Sequence, residues 1–575
     1  LAILCIFNFA CGIAFAQQAP IIDRTAFAFT RYDLQVTITP AEHQLAASGK
    51  LTLRNDSKQP QKNVALQISS TLTWEAIELN GKTVQYLVTP YTSDIDHSGE
   101  LSEAVVALPT PVAPGATLEF TIRYSGTVTQ DSARLERIGA PPEVRARRDW
   151  DRIDSDFSVI RGTGFVVWYP VAMPAASISN GNEFADTLGE WSGREQQASM
   201  DAALCQAGQS SPARFVASGI VLTGAGPTSG SGPANATCGR WHWSLGLIAP
   251  SFALAPFQTS DAPPLRIDYL STATEGARSY AELAKAVAPM ISDWFGSPRQ
   301  NAAVVQLPEM TWSAYESGAT LFSPLPNSLS PQATQMTEVV LAHQLTHASL
   351  PSPRPWIFEG AAHFAQVLQR QHQGGRLVAL QYLGDQLPML QEAEKQATVN
   401  GQHRPSLINT TDDVYYRTKA MFCWWMLRDI VGDAPLQRAF AKYRGEEDRD
   451  PTYFEHLLEA EAHRQLDWFF NSWVYRDDGL PDFSIPTVNT RQNLTGGYTV
   501  AVTVENSGGT ESEVPVSVRS DVSEAFARLR IPPHGHATVR IQIGQYPVSA
   551  VVNDGSVPES NLENNSFKVP PKPES

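Results

Sequence analysis

Two kinds of hydrophobic periodicity divide the chain. From about residue 27 to about residue 254, apolar and polar residues alternate in short runs, as at 32–38, 50–53 and 117–122, separated by turn formers such as Pro114-Gly115. Period-two alternation puts one face of a strand in a core and the other in water, which predicts a large antiparallel β unit. From about residue 264 to about residue 474 the period lengthens to that of a helix. Helices are predicted over 274–295, 331–350, 355–373, 414–431, 434–443 and 451–460, with a strand at 303–307. Ser330-Pro331 is a helix start and Gly374-Gly375 a stop. Alternation returns after residue 481, at 498–504 and 537–543. A run of about ninety residues of strands fits a small β-sandwich. The predicted organisation is a leader at 1–16, an N-terminal antiparallel β unit at 25–258, an α+β unit at 264–478 and a C-terminal sandwich at 484–570.

Composition narrows the function. The 575 residues are 42% apolar and 18% charged, enough to build cores and too apolar for a disordered chain. Lys plus Arg is 43 against 59 Asp plus Glu, a net charge of −16. A sequence-independent nucleic-acid binder needs a basic face to replace phosphate counterions, so this balance argues against that class. Docking on an anionic membrane is disfavoured for the same reason.

The first sixteen residues carry no charge and end in Ala14-Phe15-Ala16. A short apolar run before a small-residue site resembles a secretory signal peptide. It falls short of the ~20 residues that span a bilayer. A lipoprotein signal ending at Cys11 is the alternative, and Asn8-Phe9-Ala10 suits it poorly. The expected protein is exported, periplasmic or extracellular, with no integral membrane segment after cleavage. Cys205, Cys238 and Cys423 then remain. Oxidising conditions favour a Cys205–Cys238 bridge, whereas Cys423 lies in an apolar run and is expected as a buried thiol.

The candidate chemistry is in His343-Gln344-Leu345-Thr346-His347. Histidines four apart on a helix project from one face, the spacing of adjacent ligands on a tetrahedral metal ion. Pro351, Pro353 and Pro355 end that helix and let a second one fold back. Glu359, one turn into the second helix, can face the pair. Two His and one Glu leave a position open, the arrangement of a hydrolytic zinc site. His363 shares the face of Glu359, while Glu338 is expected on the helix surface.

These residues resemble the gluzincin metallopeptidases, above all the aminopeptidase N family. Its zinc helix carries HExxH, and its next helix a Trp-x-x-Glu-Gly motif with the third ligand, here Trp356 to Gly360. Tyr315-Glu316-Ser317 resembles the end of the family's Gly-x-Met-Glu-Asn segment, whose Glu holds a substrate's free α-amine. Tyr415-Tyr416-Arg417-Thr418-Lys419 resembles the Tyr-x-Lys-Gly segment, whose tyrosine stabilises the oxyanion; Tyr416 or Tyr415 fills that place. Trp468 to Trp473 and Gly479-Leu480-Pro481-Asp482-Phe483 resemble the end of the catalytic unit. The resemblance implies an N-terminal β saddle, a thermolysin-like α+β catalytic domain and a C-terminal Ig-like β-sandwich. It implies one zinc ion held by His343, His347 and Glu359, and hydrolysis of a peptide bond near a free N-terminus.

Three departures matter. Gln344 stands where the family has the Glu that takes a proton from the attacking water. An amide has no basic site near neutral pH, and losing a general base costs typically ~10²–10⁴ in rate. Only eleven residues separate His347 from Glu359, fewer than the family usually has. Ser317 replaces Asn in the amine-binding segment. The alternative to an impaired peptidase is therefore a pseudopeptidase that binds zinc and peptides or protein partners. His363 is a candidate substitute base.

Overall fold

Tyr32, Leu34, Val36 and Ile38 are all buried on the strand Phe27–Thr39, and the residues between them face outward, so the alternation read from the sequence is realised as a half-buried strand. The computed structural model describes residues 22–180, 183–208, 213–222, 237–399 and 406–572. The expected leader at 1–16 lies outside the described residues.

Phe27–Thr39 sits inside an eight-stranded sheet, antiparallel to Gln44–Asn55 on one side. On its other side Ser199–Gln206 runs parallel to it. The expectation of a purely antiparallel unit is corrected here. A parallel neighbour requires a crossover. The connecting chain carries other strands of this unit and ends in the helix Glu183–Arg194, which the alternating texture does not announce. Cys205 and Cys238 are partners across adjacent strands and form the expected disulfide. A second sheet of Gln61–Ser69, Glu100–Val112 and Tyr86–Thr92 belongs to the same core as the first.

The middle of the chain is helical around a five-stranded mixed sheet. The strand Gln258–Ala262, between the two predicted units, pairs with Leu265–Tyr269 and joins this sheet. Ala302–Leu307 lies at its centre, parallel to Thr320–Pro324, and the short edge strand Tyr315–Ser317 pairs antiparallel with the latter. The helix Pro331–Ser349 begins as its sequence demands. Pro331 occupies the first turn, and Ser330 Oγ accepts the Ala333 N–H at 3.2 Å. Its last nine residues, Leu341 to Ser349, are all buried, so the segment runs through the protein rather than along its surface.

After the proline turn the chain is helical over Pro355–Val399, broken at Gly375 with φ 81°. Gly374-Gly375 thus ends one helix as expected, and a second, unexpected helix follows at once. The overlooked half carried its own signal, because Ala379, Leu383, Leu387 and Leu390 recur at helical spacing and are buried. The segment expected as one helix from Val414 starts as a π-helical turn, Val414–Lys419, and continues as Ala420–Val431.

The C-terminal strands form two sheets. One is Phe483–Gln492, Tyr498–Asn506 and Gly535–Ile543; the other is Glu524–Ile531, Ser512–Arg519, Ser549–Val552 and Ser566–Lys568. Val500, Val502 and Val504 of the first and Val514, Val516 and Val518 of the second are fully buried, in one apolar cluster continuous with the helical unit.

Candidate metal centre

His343 and His347 project from the same face of Pro331–Ser349, as residues one helical turn apart must. Their Nε2 atoms lie 2.9 Å apart. Both rings are held by packing: His343 is edge-on to His363 at 5.0 Å, and His347 stacks on Phe358 at 3.9 Å. Glu359 reaches the pair from the following helix. Its carboxylate oxygens are 4.0 Å from His343 Nε2 and 3.8 Å from His347 Nε2.

Close helix packing sets that reach. Gly360 faces Ala420, and a Cβ built on it would fall 2.4 Å from the Ala420 Cβ. The absent side chain lets Pro355–Val399 lie against the segment after Val414. Trp424 Nε1 donates to the Trp356 carbonyl at 3.2 Å across the same contact. The approach also brings in a residue that motif spacing had not singled out. The guanidinium of Arg417 lies 3.3 Å from Glu359 Oε2 and 3.8 Å from Asp413. Burial acts to lower the Arg417 pKa, but the charges around it, Glu359 first and Asp413 and Glu316 with it, together outweigh burial and raise it. Arg417 was visible in the sequence only as the neighbour of a candidate tyrosine.

The two tyrosines separate. Tyr416 lies toward the site, with the Arg417 guanidinium 5.7 Å from its ring. Burial, aided by the negative charge of Glu359, raises its pKa, so the phenol keeps its proton. Tyr415 faces the other way, its ring 5.3 Å from Lys419 Nζ. Lys419 is itself buried between Glu394 at 3.1 Å and Asp477 at 2.8 Å. It holds the fold and does not reach the imidazole pair.

Glu316 is the residue whose position differs most from its expected use. Its Oε1 lies 3.0 Å from His343 Nε2 and 3.2 Å from His347 Nε2. Its Oε2 accepts a hydrogen bond from Nε2 of Gln344, which is fully buried. Burial would raise the Glu316 carboxyl, but the two imidazoles overcome it and hold it well below the usual carboxylate range. For His343 burial acts downward, but Glu316, by its charge and its hydrogen bond, together with the Glu359 charge outweighs burial and raises the imidazole. His363 is held well below the usual histidine range, first by burial and then by the His343 charge, so its ring is neutral. Glu338, expected on the surface, accepts from Gln369 at 3.1 Å and Gln373 at 2.7 Å and ties the two helices together.

Donor atoms of Glu316, His343, His347 and Glu359 all lie within 4.8 Å of one another. Two imidazole nitrogens and two carboxylates are a zinc donor set. Glu359 Oε2, though 3.3 Å from the Arg417 guanidinium, makes no hydrogen bond among the described residues and so keeps lone-pair capacity for a metal. The residues therefore fit a divalent metal.

The backbone resembles those of known proteins. It matches aminopeptidase A of Legionella pneumophila, solved in complex with aspartic acid, with a TM-score of 0.59 and 13% identity over 93% of this chain. The chain has an aminopeptidase fold. It spans 59% of the Legionella chain. A mutant M1 zinc metallopeptidase from Deinococcus radiodurans, bound to a Tyr-Ser-Ala substrate, matches with a TM-score of 0.47 and 18% identity. That match covers 78% of this chain and 94% of the Deinococcus one. No family model matches the sequence, and neither does any curated protein.

Proposed function

We propose that this chain is an exported zinc-binding protein of the aminopeptidase N type, whose cleft receives peptides by their free N-terminus and whose hydrolysis is impaired. The observation that carries the reading is the convergence of His343 Nε2, His347 Nε2 and the Glu359 carboxylate on one point. These three side chains would hold one zinc ion. Bound there, zinc would supply Lewis acidity, which polarises a peptide carbonyl and makes water a better acid. Tyr416, kept protonated by burial, donates to the oxyanion that develops on that carbonyl. Arg417 pairs with Glu359 and helps to fix its carboxylate in place. Gln344 cannot accept the proton of the attacking water, and its amide is already engaged with Glu316.

That engagement favours a second reading, a pseudopeptidase that keeps zinc and uses the cleft to bind peptides or protein partners. One further feature supports the setting. The Cys205–Cys238 disulfide suits an oxidising compartment, periplasmic or extracellular. No helix among the described residues is long and apolar enough to cross a membrane.

Elemental analysis of the purified full chain tests the zinc assignment. About one zinc per chain is expected, lost in His343→Ala and His347→Ala; a metal-free wild type would overturn it. Aminoacyl-substrate assays on wild type and Gln344→Glu separate the two readings. A gain of about 10²-fold or more in the variant identifies a peptidase lacking only its base. No activity in either protein supports the binding role.

A further inference from the structure

Two departures from the family pattern, at Gln344 and around Glu316, meet in space. Gln344 Nε2 donates to Oε2 of Glu316, and this turns Oε1 onto both imidazoles. Ligands at about 2.05 Å from a tetrahedral ion stand about 3.3 Å from each other. Oε1 of Glu316, 3.0 and 3.2 Å from the two Nε2 atoms, is at that spacing and is nearer to them than either oxygen of Glu359.

The backbone beneath Glu316 is anchored. Ser317 Oγ donates to the Ala249 carbonyl at 2.7 Å, and Glu316 pairs with Leu321 on the neighbouring strand. A Glu at position 344 would set a second carboxylate against Oε2 and drive Glu316 away, because like charges at contact repel. The amide is therefore the group that admits Glu316 to the cluster.

We infer that Glu316 is a fourth protein ligand to the metal, positioned by Gln344, so that the site is closed by protein rather than left with one open position. This rests on the zinc reading above and deepens it. Four protein ligands are the coordination of a structural zinc site, and an open position is that of a catalytic one. The amide does two things at once: it removes the base and it delivers the carboxylate that occupies the remaining position. A substrate carbonyl or small anion then reaches the metal only if Glu316 leaves.

Zinc affinity and cobalt spectroscopy on the full-length protein test this without an activity assay. Zinc dissociation constants come from competition with a chromophoric chelator. The cobalt-substituted protein is titrated with azide, which binds an open position and changes the visible spectrum. The wild-type spectrum is expected to ignore azide. Glu316→Ala should become azide-sensitive and lose zinc affinity by at least the 10–100-fold that removal of an outer-sphere partner costs, roughly. Gln344→Glu leaves the strand untouched, and should also become azide-sensitive; it decides the matter if Glu316→Ala does not fold. A wild type that binds zinc but responds to azide overturns the fourth-ligand assignment alone. Unchanged zinc affinity in folded Glu316→Ala does the same. A wild type that binds no zinc overturns the metal reading beneath it.

Discussion

The indole of Trp356 lies flat on that of Trp424, with ring centroids 4.5 Å apart and planes 5° from parallel. Trp356 begins the helix that carries Glu359, and Trp424 belongs to the segment that carries Tyr416 and Arg417. The stack and the adjoining Gly360–Ala420 contact therefore fix how far Glu359 reaches toward the histidines. Gly360→Ala forces the helices apart. Overpacking of this kind costs about 1–3 kcal/mol. Denaturant unfolding should show that loss, and zinc affinity should fall with it. A variant as stable and as zinc-avid as wild type would mean the contact does not position Glu359.

A metal that binds only the folded chain stabilises it by mass action, about 2.7 kcal/mol at a hundredfold excess over the dissociation constant. Stripping wild type with a chelator should lower its melting temperature, and zinc should restore it. His343→Ala should melt at one temperature whether or not the chelator is present. An equal chelator response in both proteins would place the metal elsewhere.

How much of this could be read from the residues depends on how local each feature is. His343 and His347 share one helix turn, so their spacing sufficed. Glu359 needed only a short proline connector between two helices. Glu316 and Arg417 reach the site through tertiary pairing: one lies on an edge strand and the other on a π-helical turn. No periodicity encodes such distances, and nothing in the sequence marks Arg417 except its tyrosine neighbour. The parallel pairing of Phe27–Thr39 with Ser199–Gln206 was hidden for the same reason, since alternation fixes the faces of a strand and not its neighbour. The helix beyond Gly375 is a different case: the glycine pair does end one helix, and the apolar spacing that follows it announces another.

Lys419 is 2% exposed and pairs with Glu394 and Asp477. Removing its ammonium leaves two carboxylates close together away from water. Breaking a buried ion pair in this way costs about 3–5 kcal/mol. Lys419→Met should lose stability on that scale in urea unfolding. Zinc content of the protein that remains folded should be unchanged, since Lys419 faces away from the cluster. Loss of zinc at unchanged stability would reverse that assignment.

The Cys205–Cys238 bridge joins residues separated by 33 positions. Closing a loop of that size restricts the unfolded chain by about 3–4 kcal/mol. Cys205→Ser with Cys238→Ser should therefore melt lower than wild type under oxidising conditions. With a reductant that opens the bridge the two should converge. Cys423 does not complicate the comparison, because burial pushes its thiol up to about 12 and keeps it inert.

Glu195 provides a pH-dependent contribution far from the metal site. It is 1% exposed, and its Oε1 accepts the Phe29 N–H at 3.0 Å, beside the register shift in Phe27–Thr39. Burial pushes its carboxyl up to about 8 from the ordinary 4.5; the Phe29 hydrogen bond and the Arg194 charge oppose this without cancelling it. Between those values the folded chain holds a proton that the unfolded chain has released. Stability then falls as pH rises, since the unfolded state binds fewer protons. The contribution is complete below the unfolded value and is lost as pH climbs through about 8. Glu195→Gln keeps an acceptor for Phe29 and removes the titration. Melting temperatures measured from about pH 5 to about pH 8 should decline more steeply for wild type than for the variant. Parallel declines would show that Glu195 is already ionised in the folded protein at the acid end of that range.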